Sequence, residues 1–204
     1  MKPKQIPGVP VQKKGGFHDS ESTMQCTDSE VHSKFDILKQ RFFSINKWKK
    51  YAGSASADFR HFDASGNAVD RMPTKGDFVR IAIPGPGNKE GQGYDWVEVV
   101  NLSHRETGST ESYLMICRPC KEPNKLNGNI AHFYGPAATS NIMISREGNT
   151  LKVGIYGRNE SPNFQTAFAG RIRNFFIGVG GIFGFSKMQW KTLAEGLLDS
   201  KTTD

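Results

Sequence analysis

The sequence predicts an α+β domain with an N-terminal amphipathic helix, an antiparallel β-sheet of about five to seven strands, and a C-terminal amphipathic helix packed on the sheet. Three observations carry this expectation. A helical stripe of apolar residues follows a capping signal at Thr27, the apolar period shortens to two from Ala57 to Arg158, and a helical stripe returns after Ser186.

Residues 1–25 read as a flexible basic tail. Pro3, Pro7, Pro10, Gly8, Gly15 and Gly16 interrupt every period, and few large apolar groups are present to be buried. Pro7-Gly-Val-Pro10 matches P-x-x-P, a pattern common by chance, and is read as linker. The domain is placed at residues 26–200, with 201–204 as a disordered C-terminus.

Thr27-Asp28-Ser29-Glu30 has the form of a capping box. The Thr27 hydroxyl would accept from the Glu30 N–H, and the Glu30 carboxylate would reach back to the Thr27 N–H. Val31, Phe35, Leu38, Phe42 and Ile45 then fall on one stripe, with Lys34, Lys39 and Arg41 off it as solvated groups. The helix is expected to end between Asn46 and Gly53, where Lys47, Lys49 and Lys50 complement the C-terminal end of the macrodipole. Alternating there with Trp48 and Tyr51, the same cations could also hold an acidic partner.

Six short runs rich in β-branched and aromatic residues follow, at 57–62, 78–83, 96–104, 112–117, 141–145 and 151–157. Gly66-Asn67, Gly108-Ser109, Asn127-Gly128 and Gly148-Asn149 supply turns between them. Around Glu147-Gly148-Asn149, Ile142 and Ile144 match Leu151, Val153 and Ile155, which marks a hairpin. The last helix opens on a second capping box, Ser186-Lys187-Met188-Gln189, with Phe185 and Trp190 placed as a hydrophobic staple. Trp190, Leu193, Ala194, Leu197 and Leu198 form its stripe.

This order resembles that of the helix-grip, START-like ligand-binding domains, with two departures: no strand is evident before the first helix, and only one N-terminal helix is clear. The resemblance implies a hydrophobic cavity between sheet and C-terminal helix. It carries over no function.

Composition narrows the function classes. The chain of 204 residues has 36% hydrophobic residues and 11% aromatic ones, 14 of them Phe, enough to cover a core without disulfides or metal. Of the net charge of +7, four units are Lys2, Lys4, Lys13 and Lys14, so the body carries about three. That argues against a nucleic-acid partner, which needs a stripe of cations on one face. MKPKQIPGVPVQKKGG lacks the apolar segment of a signal peptide, and the odd number of cysteines, 3, fits a reducing compartment. A cytoplasmic location follows, with non-classical export as the alternative. The longest mostly apolar run, residues 175–185, falls short of the roughly 20 residues of a spanning helix.

The loop from Ile83 to Trp96, IPGPGNKEGQGYDW, satisfies neither the P-loop nor the dinucleotide pattern, and its prolines delete two amides that would cradle an anion. It reads as a turn whose Tyr94-Asp95-Trp96 end could line a ligand mouth. Cys117-Arg118-Pro119-Cys120 reads as structural, as a redox pair, or as half a zinc site lacking two ligands. His18, His32, His61, His104 and His132 show no metal-ligand spacing, and no G-x-S-x-G elbow is present. Asp95 and Glu98 would point to opposite faces of a strand.

Polar clusters at 158–163 and 171–174 could surround a pocket together with His132, so the candidate ligand-binding residues are Tyr94, Asp95, Trp96, His132, Arg158 and Asn159. Glycine alternates with bulky apolar residues between Phe175 and Phe185. This resembles membrane-inserting segments such as viral fusion peptides, with Phe175, Phe176 and Phe183 as membrane contacts, although the same residues would also make a buried bend.

The expected function is a non-catalytic binding module that takes an apolar small molecule or a protein partner in a sheet-lined cavity or on a sheet face. The alternatives are a membrane-perturbing or secreted effector acting through 175–185, and a hydrolase-like enzyme with a polar pocket around Asp95, His132 and Arg158. No catalytic residue, metal or cofactor is assigned, and the oligomeric state is left open.

Overall fold

The computed structural model describes residues 2–53, 56–83, 91–125, 128–163 and 181–199, with side chains of the last helix from 189 onward. Its elements in order are β1 (Gly16–Gln25), α1 (Val31–Phe43), a 3-10 turn (Ile45–Lys47), α2 (Trp48–Ala52), β2 (Asp58–Phe62), β3 (Phe78–Ala82), β4 (Asp95–Thr107), β5 (Thr110–Pro119), β6 (Thr139–Glu147), β7 (Thr150–Glu160) and α3 (Gly181–Leu198). The strands form one antiparallel sheet in the order β1-β7-β6-β5-β4-β3-β2. Strands β2 to β7 are a meander, and β1 closes the far edge against β7.

The six predicted runs became β2 to β7, because each alternates apolar residues on one face with polar ones on the other. Residues 16–25 correct the reading of a tail. They pair with β7 from Gly16↔Glu160 to Gln25↔Thr150, with a bulge between Gly16 and His18. The buried positions of β1 include His18 and Ser20, so the strand has no apolar period to read and is held by the ladder to β7. β1 and α2 supply the leading strand and the second N-terminal helix whose absence set the sequence apart from the helix-grip order.

One face of the sheet carries the core. Met115, Ile142, Ile144, Val153 and Ile155 meet Phe35, Phe42 and Trp48 from the N-terminal helices and Leu193, Ala194 and Leu197 from α3. Burying each such side chain contributes about 1.5–3 kcal/mol.

Three helix boundaries differ from expectation. At α1 half of the capping box forms: the Glu30 carboxylate accepts from the Thr27 hydroxyl at 2.9 Å and from the Thr27 N–H at 3.4 Å, while the Glu30 N–H donates to the Thr27 carbonyl at 3.1 Å. That turn precedes the helix, which starts at Val31. α1 ends at Phe43 rather than beyond Asn46, because Ser44 leaves the helical region at φ −86°, ψ 65° and the chain re-enters a helix at Trp48. α3 already includes residues 181–185, read in the sequence as part of a bend. Its glycines lower helix propensity by only about 1 kcal/mol each, which neighbouring turns outweigh. Arg41 is not solvated: it is buried over the Tyr51 ring at 4.9 Å and donates to the carbonyls of Leu197 and Asp199 at the end of α3.

Residues 2–15 lie across the opposite face of the sheet as an arm. Arg158 Nη2 donates to the Lys4 carbonyl at 2.8 Å, the Lys4 N–H donates to Asp19 Oδ2 at 2.9 Å, and Gly8 packs so closely on Leu114 that a Cβ there would lie 2.9 Å from its Cδ2. At the other edge, the connection between β2 and β3 is pinned on Asp77. Its carboxylate accepts from His61 Nε2 at 2.9 Å, from both Nη groups of Arg71 at 2.7 and 2.8 Å, and from the Thr74 N–H at 2.8 Å.

Candidate ligand-binding cavity

Between the helix-covered face of the sheet and α3 lies a small apolar cavity of about 40 Å³, with Phe59, Ile81, His132, Tyr134, Ser140 and Trp190 among its walls. The 131–134 segment reaches it through backbone ties: the Trp96 N–H donates to Ala131 O at 2.7 Å, and the Ala131 N–H to Cys120 O at 2.9 Å. Within this segment His132 stacks on Phe133 at 4.5 Å, and its Nδ1 accepts the Tyr134 N–H at 2.9 Å. Burial pushes the His132 imidazole down to about 3. The ring is therefore neutral near pH 7, with its proton on Nε2. Trp190, half-buried, stands 6.2 Å from the Phe59 ring and 6.3 Å from the His18 ring, nearly parallel to the latter at 8°.

Beside this wall is a buried polar pair. His18 Nδ1 lies 2.9 Å from Glu160 Oε1, with side chains 4% and 2% exposed. Gly157 makes room for the pair, since a Cβ there would lie 2.1 Å from Glu160 Oε1 and 2.2 Å from His18 Nδ1.

The candidate residues do not converge. His132 lines the cavity, and Asp95, buried at the start of β4, sits opposite the cavity residue Ile81 in the β3–β4 ladder. Trp96 belongs to the other face, where its ring meets Phe62 at 5.0 Å and the Arg80 guanidinium lies 4.1 Å from the Tyr94 ring. Arg158 is also on that face. It is paired with Asp19 at 2.7 Å, and its Nη1 donates to the carbonyls of His18 and Gly157. Asn159 holds the arm: its Oδ1 accepts from the N–H of Lys13 and of Lys14 at 2.7 and 3.2 Å, its Nδ2 donates to Val11 O, and its own N–H donates to Gln12 Oε1 at 2.8 Å. Strand alternation turns Arg158 to the face away from the cavity that His132 lines, so the pocket expected around Asp95, His132 and Arg158 is not assembled.

The C-x-x-C residues are free thiols at the end of an extended strand. Burial pushes Cys117 up to about 12. Cys120 is raised too, first by burial and then by Glu98 and Cys117. A reactive redox thiol needs the opposite shift. Phe175 and Phe176 lie outside the described residues, as do residues 171–174, and Phe183 is described only as a backbone position in α3. Among the described residues no helix is long and apolar enough to cross a membrane, and no group of three or more His, Cys, Asp or Glu side chains is placed to hold a metal.

Sequence reasoning missed His18 and Glu160 as a pair. Glu160 stood in a polar cluster and His18 in the supposed tail, and 142 positions separate them.

No family model matches the chain, and no curated protein matches it. Solved structures give distant likenesses. The protein TTHA0849 of Thermus thermophilus is 10% identical, with 90% of this chain and 94% of that one covered at a TM-score of 0.37. XoxI of Bacillus cereus is 14% identical, with 93% and 100% covered at 0.36. Ms6760 of Mycobacterium smegmatis is 14% identical, with 92% and 93% covered at 0.39.

Proposed function

We propose that the chain is a non-catalytic binding module whose ligand is an apolar small molecule held between the sheet and α3. The observation that carries this reading is the apolar cavity walled by Phe59, Ile81 and Trp190 at the junction of sheet and helix. At about 40 Å³ it is smaller than the roughly 300–1,000 Å³ of small-molecule sites. Occupancy therefore requires wall residues to yield, and the half-buried Ile83, Phe133, Ser140, Gln189 and Trp190 are the ones least held by burial. The three free cysteines support a reducing compartment such as the cytoplasm.

Native mass spectrometry of the protein purified from its own host tests this. A co-purifying apolar molecule that is lost on denaturation, and lost again in a Ser140→Leu variant that fills the cavity, is the expected result. A bare mass, or a mass with a partner subunit only, would overturn the small-molecule reading and move attention to protein surfaces.

A further inference from the structure

We infer that the N-terminal arm roofs a second ligand site, on the face of the sheet away from the helices, that takes a small carboxylate with a short apolar body. This site is separate from the cavity beside α3 and does not depend on it.

A cavity of about 190 Å³ lies between Pro7 of the arm and strands β4 to β6. It exceeds the space beside α3, and a cavity of roughly 150 Å³ already admits benzene. Ladder pairing fixes the order of its walls. Thr107 is opposite Thr110, Arg105 is opposite Ser112, and Ser103 is opposite Leu114, which pairs in turn with Met143. Residues directly opposite share a face with Cβ atoms about 4.5–5.5 Å apart, so these side chains form three adjacent rows lining one space. The rows pass from hydroxyls at the hairpin end to apolar groups under the arm, where Gly8 packs on Leu114. Ties from Lys4 to Asp19 and from Arg158 to Lys4 hold that roof in place.

The middle row lacks partners. Ser112 is only 7% exposed, yet its hydroxyl makes no hydrogen bond among the described residues. Buried hydroxyls are ordinarily satisfied, so this one has capacity for a ligand. Arg105 beside it makes neither an ion pair nor a side-chain hydrogen bond among the described residues, and Glu147, opposite Thr110 on β6, is not a wall.

The chemistry selects the ligand class. Arginine keeps its charge throughout the physiological range, so the row offers one fixed positive charge, with hydroxyl donors from Ser112, Thr107 and Thr110 around it. A guanidinium can grip both oxygens of a carboxylate at once. The body of the ligand then lies toward Leu114, Met143 and Pro7. An ammonium would meet Arg105 with like charge, and inorganic phosphate would leave the apolar row unfilled.

The test uses the full chain near pH 7 with benzoate, benzamide, benzylamine and inorganic phosphate, read by calorimetry and by amide chemical shifts. Benzoate is expected to bind at least about tenfold more tightly than neutral benzamide or cationic benzylamine, as a charge-assisted pair with Arg105 implies. It should shift the amides of Arg105, Ser112 and Leu114. In Arg105→Gln, at an exposed position, its advantage over benzamide should fall to within about threefold. Ser140→Leu, which fills the cavity beside α3, should leave benzoate binding unchanged, and a loss there would place benzoate in that cavity and overturn the second site. Benzamide or benzylamine binding as tightly as benzoate, phosphate binding more tightly, or no saturable binding of benzoate would overturn it as well. The cavity beside α3 has its own test in the co-purifying molecule, so either site can fail alone.

Discussion

A Cβ atom on Gly196 of α3 would lie 2.1 Å from the carbonyl oxygen of Tyr51 in α2 and 2.6 Å from its carbonyl carbon. The two helices meet backbone to backbone, and the contact lets Leu193, Ala194 and Leu197 reach the core while Arg41 caps the end of α3.

Gly196→Ala should therefore be destabilising although alanine is the better helix former. The obstacle is backbone rather than a side chain that can swing aside, so the helices must separate, at an expected loss of about 2–3 kcal/mol. For a chain of this size that is a fall in Tm of about 5–10 °C. Urea and thermal unfolding check it, and an unchanged Tm would show that α2 is free to move.

Asp77 should make stability acid-sensitive. Burial alone would raise its carboxyl, but the bonds from Arg71, the Thr74 N–H and His61 outweigh burial and hold it down at about 2. The folded value lies below the unfolded value of about 3.9, so the stabilisation is complete above about pH 4 and is lost as pH falls through about 2. Its size is about 2–3 kcal/mol. Asp77→Asn should be less stable than the unaltered chain by that amount at pH 7, and the gap should close by pH 2. A gap that does not change with pH would mean that Asp77 acts through shape and not charge.

His132 should stay neutral throughout the physiological range. Burial lowers it to about 3 against an unfolded value of about 6.5, so the unfolded chain takes up the proton first and stability declines as pH falls from about 6.5 towards 3. Imidazole NMR should show one unshifted, Nε2-protonated resonance set for this ring between pH 5 and 8. Titration near 6.5 would place His132 in water and open the cavity wall.

Asn159 should control the arm. Its backbone is left-handed at φ 57°, and its side chain holds Val11, Lys13 and Lys14. Asn159→Gly keeps the conformation and removes the latch. Exchange of the Lys13 and Lys14 amides should accelerate, trypsin should cleave there sooner, and global stability should fall by only about 1 kcal/mol. Unchanged exchange would mean that Gln12 and Lys4 hold the arm without Asn159.

How far the sequence carried can be judged at individual residues. Val31, Phe35, Leu38, Phe42 and Ile45 repeat at a helical period, Ile142 and Ile144 answer Val153 and Ile155 across a marked turn, and all of these are buried as their spacing requires. Arg41 shares a helix with the first group and looks solvated by the same logic. It is buried because the end of α3, more than 150 positions later, brings the carbonyls of Leu197 and Asp199 to it.

The sequence by itself determined the helices at either end, the meander from Asp58 to Glu160 and the α+β class, because local period, turn residues and caps act over a few positions. Only the tertiary structure decided that Gly16–Gln25 is a strand, that the arm lies on the far face, that Trp96 and Arg158 turn away from His132, and that His18 meets Glu160. Those relations rest on ladder pairing and on the two-residue alternation of a strand. Alternation separates neighbours in the chain onto opposite faces, and pairing joins residues whose own side chains carry no signal of the partner.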